Sequence, residues 1–230
     1  DIPKSIESYY QETGRAGRDG GEGHCLAFYA YKDIEKLEKF MSGKPIAEQE
    51  IGMALLADMV SYAETSISRR KFILHYFGEE FDNETGEGGS MDDNVRHPKK
   101  HFEAKESLNI LIETILTTKE KYKAKEIVKT LMGQKNALLQ SHKTEILNVF
   151  GKGKDKTASY WMALIRQSLV AGYILIEIET YGLIRVTLRG KDFLKNGDSF
   201  MMTEDHQYDL NNEGAIETIS AQNLSLIHIS

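Results

Sequence analysis

Gln11-Glu12-Thr13-Gly14-Arg15-Ala16-Gly17-Arg18-Asp19-Gly20 places two arginines three residues apart, each following a small residue, directly after a stretch with helical spacing. Glycines let backbone and guanidinium groups approach a phosphate chain closely. Arginine is planar and always charged, which suits a γ-phosphate whose charge develops during transfer. The Gln11 amide adds a group that orients a water or bonds a phosphate oxygen. The bland alternative, a glycine-rich turn with solvated arginines, fits a lone GxxG better than it fits this ten-residue pattern, QxxGRxGRxG.

A second set lies further along. Lys152, Lys154 and Lys156 occupy a glycine loop just before a helical run, where the helix dipole adds positive potential. Arg166 and Tyr181 are further candidates for contact with DNA. A tyrosine at a hairpin tip stacks on a base at a strand junction; its alternative is a turn residue packed on its own hairpin, and that of the lysines is ordinary solvated charge. Trp161 reads as core, and so does Cys25, which sits in the apolar run HCLAFYA. As the single cysteine, Cys25 excludes an internal disulfide and any site needing two thiolates, and it suits a reducing cytosol.

The elements that must position these groups follow from periodicity. Helices are expected over residues 4–13, 33–41, 47–63, 66–77, 103–116, 125–132 and 157–171, with a short piece at 146–150. In the early helices Ile34, Leu37 and Phe40, then Ile51, Leu55, Met59 and Tyr62, are expected to point inward. A buried strand is expected at 24–30 and a mobile acidic loop at 79–96. From Ile174 the period changes from 3.6 to 2. Folding about Tyr181 pairs Ile178 with Ile184, Ile176 with Val186 and Ile174 with Leu188, and sets Glu177 opposite Arg185. After Lys195 little structure is expected. The terminal LSLIHIS matches the translation of a sequencing-library adapter and is expected not to be native, and the missing initial Met suggests truncation at the other end.

Composition bounds the function. The 230 residues are 40% hydrophobic and 28% charged, a globular balance. No run of about 18 apolar residues exists, so no membrane helix is expected. The net charge of −6 hides a division: residues 94–195 carry 19 Lys/Arg against 10 Asp/Glu, while residues 79–93 and 196–230 carry acids and no Lys or Arg. A basic block between acidic segments is compatible with a nucleic-acid face and equally with a solvated surface.

The motif QxxGRxGRxG and the preceding IPKSIESYY resemble the last conserved motor motif of superfamily 2, in the form found in RecQ DNA helicases. The resemblance continues through Ser68-Arg69-Arg70, His75-Tyr76-Phe77-Gly78 and Trp161-Met162-Ala163-Leu164-Ile165-Arg166-Gln167, covering roughly residues 1–195. It implies a mixed α/β, mainly α chain: the end of a second RecA-like lobe (1–42), a helical subdomain (43–104), a winged-helix DNA-binding domain (105–195) and an acidic tail. It implies that Arg18 is the arginine finger, that Arg15 and Gln11 support the nucleotide, and that ATP and Mg2+ are bound mostly by a lobe outside this chain, whose phosphate loop is not found here. The chain alone is therefore expected to be inactive. The activity implied is ATP-dependent 3′-to-5′ DNA unwinding in recombination and repair, on duplexes and single-strand junctions, in a bacterial cytoplasm. Family members usually carry four cysteines after the motor, one just before the Arg-Arg pair. Here Ser68 stands in that place and an acidic glycine loop replaces the cluster, so no zinc and no metal ligand is expected. His75, His97 and His101 lack zinc spacing. The rival functions are a non-enzymatic winged-helix regulator, for which a γ-phosphate arginine has no use, and a protein-binding adaptor.

Overall fold

The structure, a computed structural model, describes residues 2–16, 23–82, 85–86, 88–177, 182–206 and 225–229. In chain order the elements are α1 (Ile6–Thr13), β1 (Cys25–Tyr29), α2 (Tyr31–Ser42), α3 (Ile46–Glu64), α4 (Arg69–Tyr76), α5 (Asp93–Arg96), β2 (His101–Glu103), α6 (Lys105–Thr117), α7 (Ala124–Met132), α8 (Ala137–Ser141), a 3-10 turn (Thr144–Ile146), α9 (Ala158–Val170), β3 (Ile174–Glu177), β4 (Leu183–Val186), α10 (Leu188–Asn196), β5 (Met201–Thr203) and β6 (Ser225–Ile229). The fold is mixed α/β with helix predominating, as the sequence implies. Its strands form three antiparallel pairs among the described residues: β1 with β6, β2 with β5 and β3 with β4. The chain divides into two compact units, residues 1–98 with 206–230, and residues 99–205.

In the first unit, α1 buries Ile6 and Tyr9 while α3 buries Leu56, Met59, Tyr62 and Ala63. The rings of Tyr9 and Tyr62 meet at 5.0 Å. The expected inward set holds for Ile34, Met59 and Tyr62 and fails for Phe40 and Ile51, which are exposed. The stretch expected to be one mobile acidic loop ends instead in an anchored helix. Asp92 caps α5, its carboxylate accepting from Val95 N at 3.1 Å. The same carboxylate accepts from Ser68 Oγ at 2.9 Å and Arg69 N at 3.1 Å. Asn94 Nδ2 donates to the carbonyls of Thr65 and Ile67, each at 2.8 Å.

The second unit encloses one continuous core of Leu108, Leu111, Ile112 and Ile115 from α6, Ile127 and Leu131 from α7, and Trp161, Leu164 and Ile165 from α9, closed by Ile174 and Ile184. The β3–β4 register differs from expectation by two residues: Ile174 pairs with Val186, Ile176 with Ile184 and Glu177 with Leu183. A two-residue slip leaves every side chain on its original face, so alternation alone does not separate the two registers. The turn does. Gly182 takes a left-handed conformation (φ 99°) and donates from its N–H to the Glu177 carbonyl at 3.1 Å. Arg185 still reaches Glu177, diagonally, at 2.7 Å. Leu188 is no strand residue. Thr187 caps α10 by accepting from Gly190 N at 3.1 Å, which leaves Leu188 80% exposed at the start of that helix. The region after Lys195 is structured in part, since β5 lies against β2 and β6 against β1.

Candidate functional site

Ser5 starts α1 by accepting from Ser8 N. The helix then buries Ile6 and Tyr9 and turns Tyr10 and Gln11 to the surface. It ends at Gly14, whose N–H donates to the Tyr10 carbonyl at 2.8 Å; a Cβ there would lie 2.9 Å from that same oxygen. Tyr10, Gln11, Gly14 and Arg15 line an open cleft of about 370 Å³, with the Tyr10 ring supported by Phe77 at 5.0 Å. Two of the three motif residues are thus brought to one surface cleft. Arg18 lies outside the described residues.

The far side of α1 is held by carboxylate chemistry. Tyr76 Oη donates to Glu7 Oε1 at 2.7 Å, while Glu7 Oε2 is buried without a hydrogen bond among the described residues. Asp58 on α3 is pushed up to about 6 by burial and then by the Glu7 charge. Burial raises the Glu7 carboxyl too, but its hydrogen bonds, that of Tyr76 foremost, bring it net below its ordinary value. The folded value of Asp58 exceeds the 3.8 of a free carboxyl, so its contribution to stability is present at low pH and lost as pH rises through about 6. Asp58→Asn is therefore expected to raise the melting temperature at pH 7.5 and to lose that advantage by pH 4. A gain of about 1 kcal/mol is expected, below the full linkage value because the side chain is partly solvated. Thermal melts at the two pH values check it, and equal effects at both would remove Asp58 as the titrating group.

In the second unit the basic loop is clamped rather than loose. Gly151 N donates to Thr130 O and Gly153 N to Leu131 O, each at 2.8 Å, so the loop caps the end of α7. Trp161, buried as expected, donates from Nε1 to the Gly153 carbonyl at 2.8 Å. A side chain on Gly153 would run into the Trp161 ring, so glycine is required there. The loop presents Lys152, Lys154 and Lys156 around α9, which Thr157 caps by accepting from Tyr160 N. Lys152 pairs with Glu113 at 3.3 Å and Lys156 with Asp155 at 3.8 Å, both at exposed positions, and Lys156 also lies over the Tyr160 ring. Lys154 has no ion pair among the described residues.

Arg166 corrects the sequence reading. It is 6% exposed, donates from Nε to Asp205 Oδ2 at 2.9 Å, and makes a second bond from Nη2 to the same oxygen. The segment expected to be a disordered tail covers this side of α9: Gln167 also bonds the Thr203 carbonyl. A buried, ion-paired arginine is a structural residue, so Arg166 leaves the set of DNA contacts. Tyr181 lies outside the described residues. What sequence reasoning missed was Asp205, whose partner is 39 residues away in a segment without periodicity, and the anchor formed by Asp92, Asp93 and Asn94. An Asp capping a short helix was the available signal for the latter.

Residues 31–90 match the family described as RecQ zinc-binding, and residues 98–210 match the RQC domain. The chain is 33% identical over 175 residues to the ATP-dependent DNA helicase RecQ of Pasteurella multocida, covering 76% of this chain and 27% of that protein. It is 33% identical over 197 residues to the ATP-dependent DNA helicase RecQ of Haemophilus influenzae, covering 85% and 31% respectively. Over 84 residues it is 51% identical to the ATP-dependent DNA helicase hus2/rqh1 of Schizosaccharomyces pombe, 35% of this chain and 6% of that one.

The chain belongs to the RecQ family.

It spans less than a third of the length of these curated relatives. The family match also overturns an expectation. Residues 31–90 are the RecQ zinc-binding segment, so the expectation of no zinc does not stand. The donor set for that ion is not assembled among the described residues, where no group of three or more His, Cys, Asp or Glu side chains is placed to hold a metal. Ser68 instead donates to Asp92. The described side chains do not fit the ion, and no step below runs through it.

Proposed function

We propose that this chain is the region of an ATP-dependent 3′-to-5′ DNA helicase that supplies the arginine finger and a winged-helix DNA-binding domain, acting in recombination and repair. The observation that carries the reading is the joint presence, in one RecQ-family chain, of QxxGRxGRxG and an RQC segment. In this reading residues 1–42 end a RecA-like lobe, 43–104 form the helical subdomain and 105–195 the winged helix. Arg18 meets the γ-phosphate of ATP held with Mg2+ by a lobe outside this chain, with Gln11 and Arg15 in support. The site of action is the bacterial nucleoid. Among the described residues no helix is long and apolar enough to cross a membrane.

The DNA face in this reading is the loop of Lys152, Lys154 and Lys156, with Tyr181 at the hairpin tip. Exposed ion pairs such as those of Lys152 and Lys156 are worth about 0–1 kcal/mol, so phosphate displaces Glu113 and Asp155 readily. Neutralising the three lysines is expected to flatten the log–log salt dependence of duplex binding by up to ~2.7, at ~0.9 per phosphate contact. Tyr181→Ala should leave that slope unchanged, since stacking releases no counterion, while slowing strand separation by the full-length protein. The deciding experiment is a DNA-dependent ATPase and unwinding assay on that full-length protein. A protein that binds DNA but hydrolyses no ATP would favour the non-enzymatic winged-helix reading instead.

A further inference from the structure

The connector between α6 and α7 carries lysines that the preceding reading leaves unused. Lys119 and Glu120 both adopt left-handed backbone conformations, φ 57° and 56°. They turn the chain sharply while their N–H groups close the end of α6, donating to Leu116 O and Ile115 O at 2.9 Å. Glu120 is then consumed internally. Its Oε1 accepts from Val186 N at 2.9 Å and its carbonyl accepts from Arg185 Nη1 at 2.8 Å. Tyr122 is buried. Its hydroxyl bonds Thr144 Oγ1 and lies 3.0 Å from His142 Nδ1, and its carbonyl accepts from Ile184 N at 3.0 Å. Glu120 and Tyr122 thus pin the backbone on both sides of Lys121.

The result is a row of four exposed lysines, Lys119, Lys121, Lys123 and Lys125. None has an ion pair or side-chain hydrogen bond among the described residues. Glu126 is the acid on the first turn of α7. The contrast with the glycine loop, where two of three lysines are paired, is a physical one. Lysines without an ion pair on a pinned backbone give a standing positive potential: Glu120 is engaged by Val186 N and Arg185, which leaves Glu126 as the one nearby acid in sequence against four lysines. The row holds no arginine or amide suited to base edges, and the aromatic within it, Tyr122, is buried. It therefore suits a polyanion with a regular backbone charge better than a peptide, which needs an apolar anchor.

We propose that Lys119, Lys121, Lys123 and Lys125 form a second, sequence-independent phosphate-binding surface for nucleic acid. It lies at the end of α7 opposite the glycine loop. The inference rests on the DNA-binding reading above. α7 has nine residues and is about 13 Å long, close to the roughly 12 Å width of a duplex major groove. The two basic sets thus flank a helix whose length is of the order of one groove.

The test uses the full 230-residue chain and a mixed-sequence duplex of about 20 base pairs, titrated between about 50 and 200 mM salt. Lys121→Gln/Lys123→Gln/Lys125→Gln is expected to weaken binding at least ~10-fold and to reduce the salt slope by ~2–3, at ~0.9 per phosphate contact. Its melting temperature should match wild type, because these side chains hold nothing together. The corresponding triple Lys→Arg variant should restore the slope. Wild-type slope and affinity in the Gln variant would overturn the proposal while leaving the DNA-binding reading intact; failure of the wild-type chain to bind any duplex would defeat that reading as well. Polyglutamate of matched charge displacing the duplex as well as a second duplex does would overturn it in favour of a general acidic partner.

Discussion

Arg69→Ala is expected to destabilise the first unit by about 3–5 kcal/mol, the cost of breaking a buried ion pair by removing one partner. The guanidinium side chain is 1% exposed. It donates from Nε to Asp93 Oδ1 at 2.5 Å and from Nη2 to Asp93 Oδ2 at 3.1 Å, a two-pronged match to the carboxylate. Nη1 donates to the Tyr62 carbonyl at 2.8 Å, and the cation lies 5.5 Å from the centre of the Tyr62 ring. Alanine would leave Asp93 partly buried without its counter-charge, take a donor from the Tyr62 carbonyl and open a cavity beside the Tyr62 ring. Arg69→Lys should recover only part of the loss, because an ammonium does not span both carboxylate oxygens. Asp93→Ala should cost a comparable amount, and the double variant less than the sum of the two, since each single change strands the other's charge. Denaturant melts of the four proteins measure this. An Arg69→Ala protein within about 1 kcal/mol of wild type would show that Asp92 and Asn94 hold the segment alone.

That anchor marks where the sequence was opaque. The run EEFDNETGEGGSMDDNVR has the composition of a chain that buries little, yet its last four residues form a helix whose cap reaches back to Ser68. A hydrogen bond between residues 24 positions apart leaves no periodic trace. The same reason hid β2 and β5, two three-residue strands about a hundred positions apart, and Asp205 beneath Arg166. By contrast, α1, α6, α7 and α9 were legible because each buries a stripe at helical spacing, and β3–β4 because its period is 2. The exposed Phe40 and Ile51 show the limit of that signal. Periodicity identifies a face, and only the number of elements available to cover it decides whether it is buried. For the candidate site, the placement of Gln11 and Arg15 at one cleft followed from their position at the exposed end of a helix that a glycine terminates. The misplacement of Arg166 came from reading a helix as one-sided when residues 200–205 cover its other side.

Arg18→Ala in the full-length protein is expected to reduce kcat for ATP hydrolysis by about a thousandfold while leaving nucleotide affinity nearly unchanged. The exposed end of α1 places Gln11 and Arg15 on one open cleft with Gly14 between them. A surface site of this kind is incomplete as a catalyst, because water screens its charges. In the proposed reading it gains strength when a nucleotide-bearing lobe outside this chain closes over it and excludes solvent. An arginine that meets the γ-phosphate chiefly in the transition state lowers kcat when removed, whereas one that binds ground state and transition state alike changes KM alone. In the sequence Gly17 precedes Arg18 and Gly20 follows two residues on, a residue type that permits close approach to a phosphate chain, and a planar guanidinium suits the equatorial oxygens. Arg18→Lys should therefore recover little. Arg15→Ala should act more weakly and on both constants if, as proposed, Arg15 is a supporting contact. Steady-state turnover combined with equilibrium nucleotide binding separates these cases. Near wild-type kcat in Arg18→Ala would take the finger role from this residue, and a matched loss of nucleotide affinity would make it a binding residue instead.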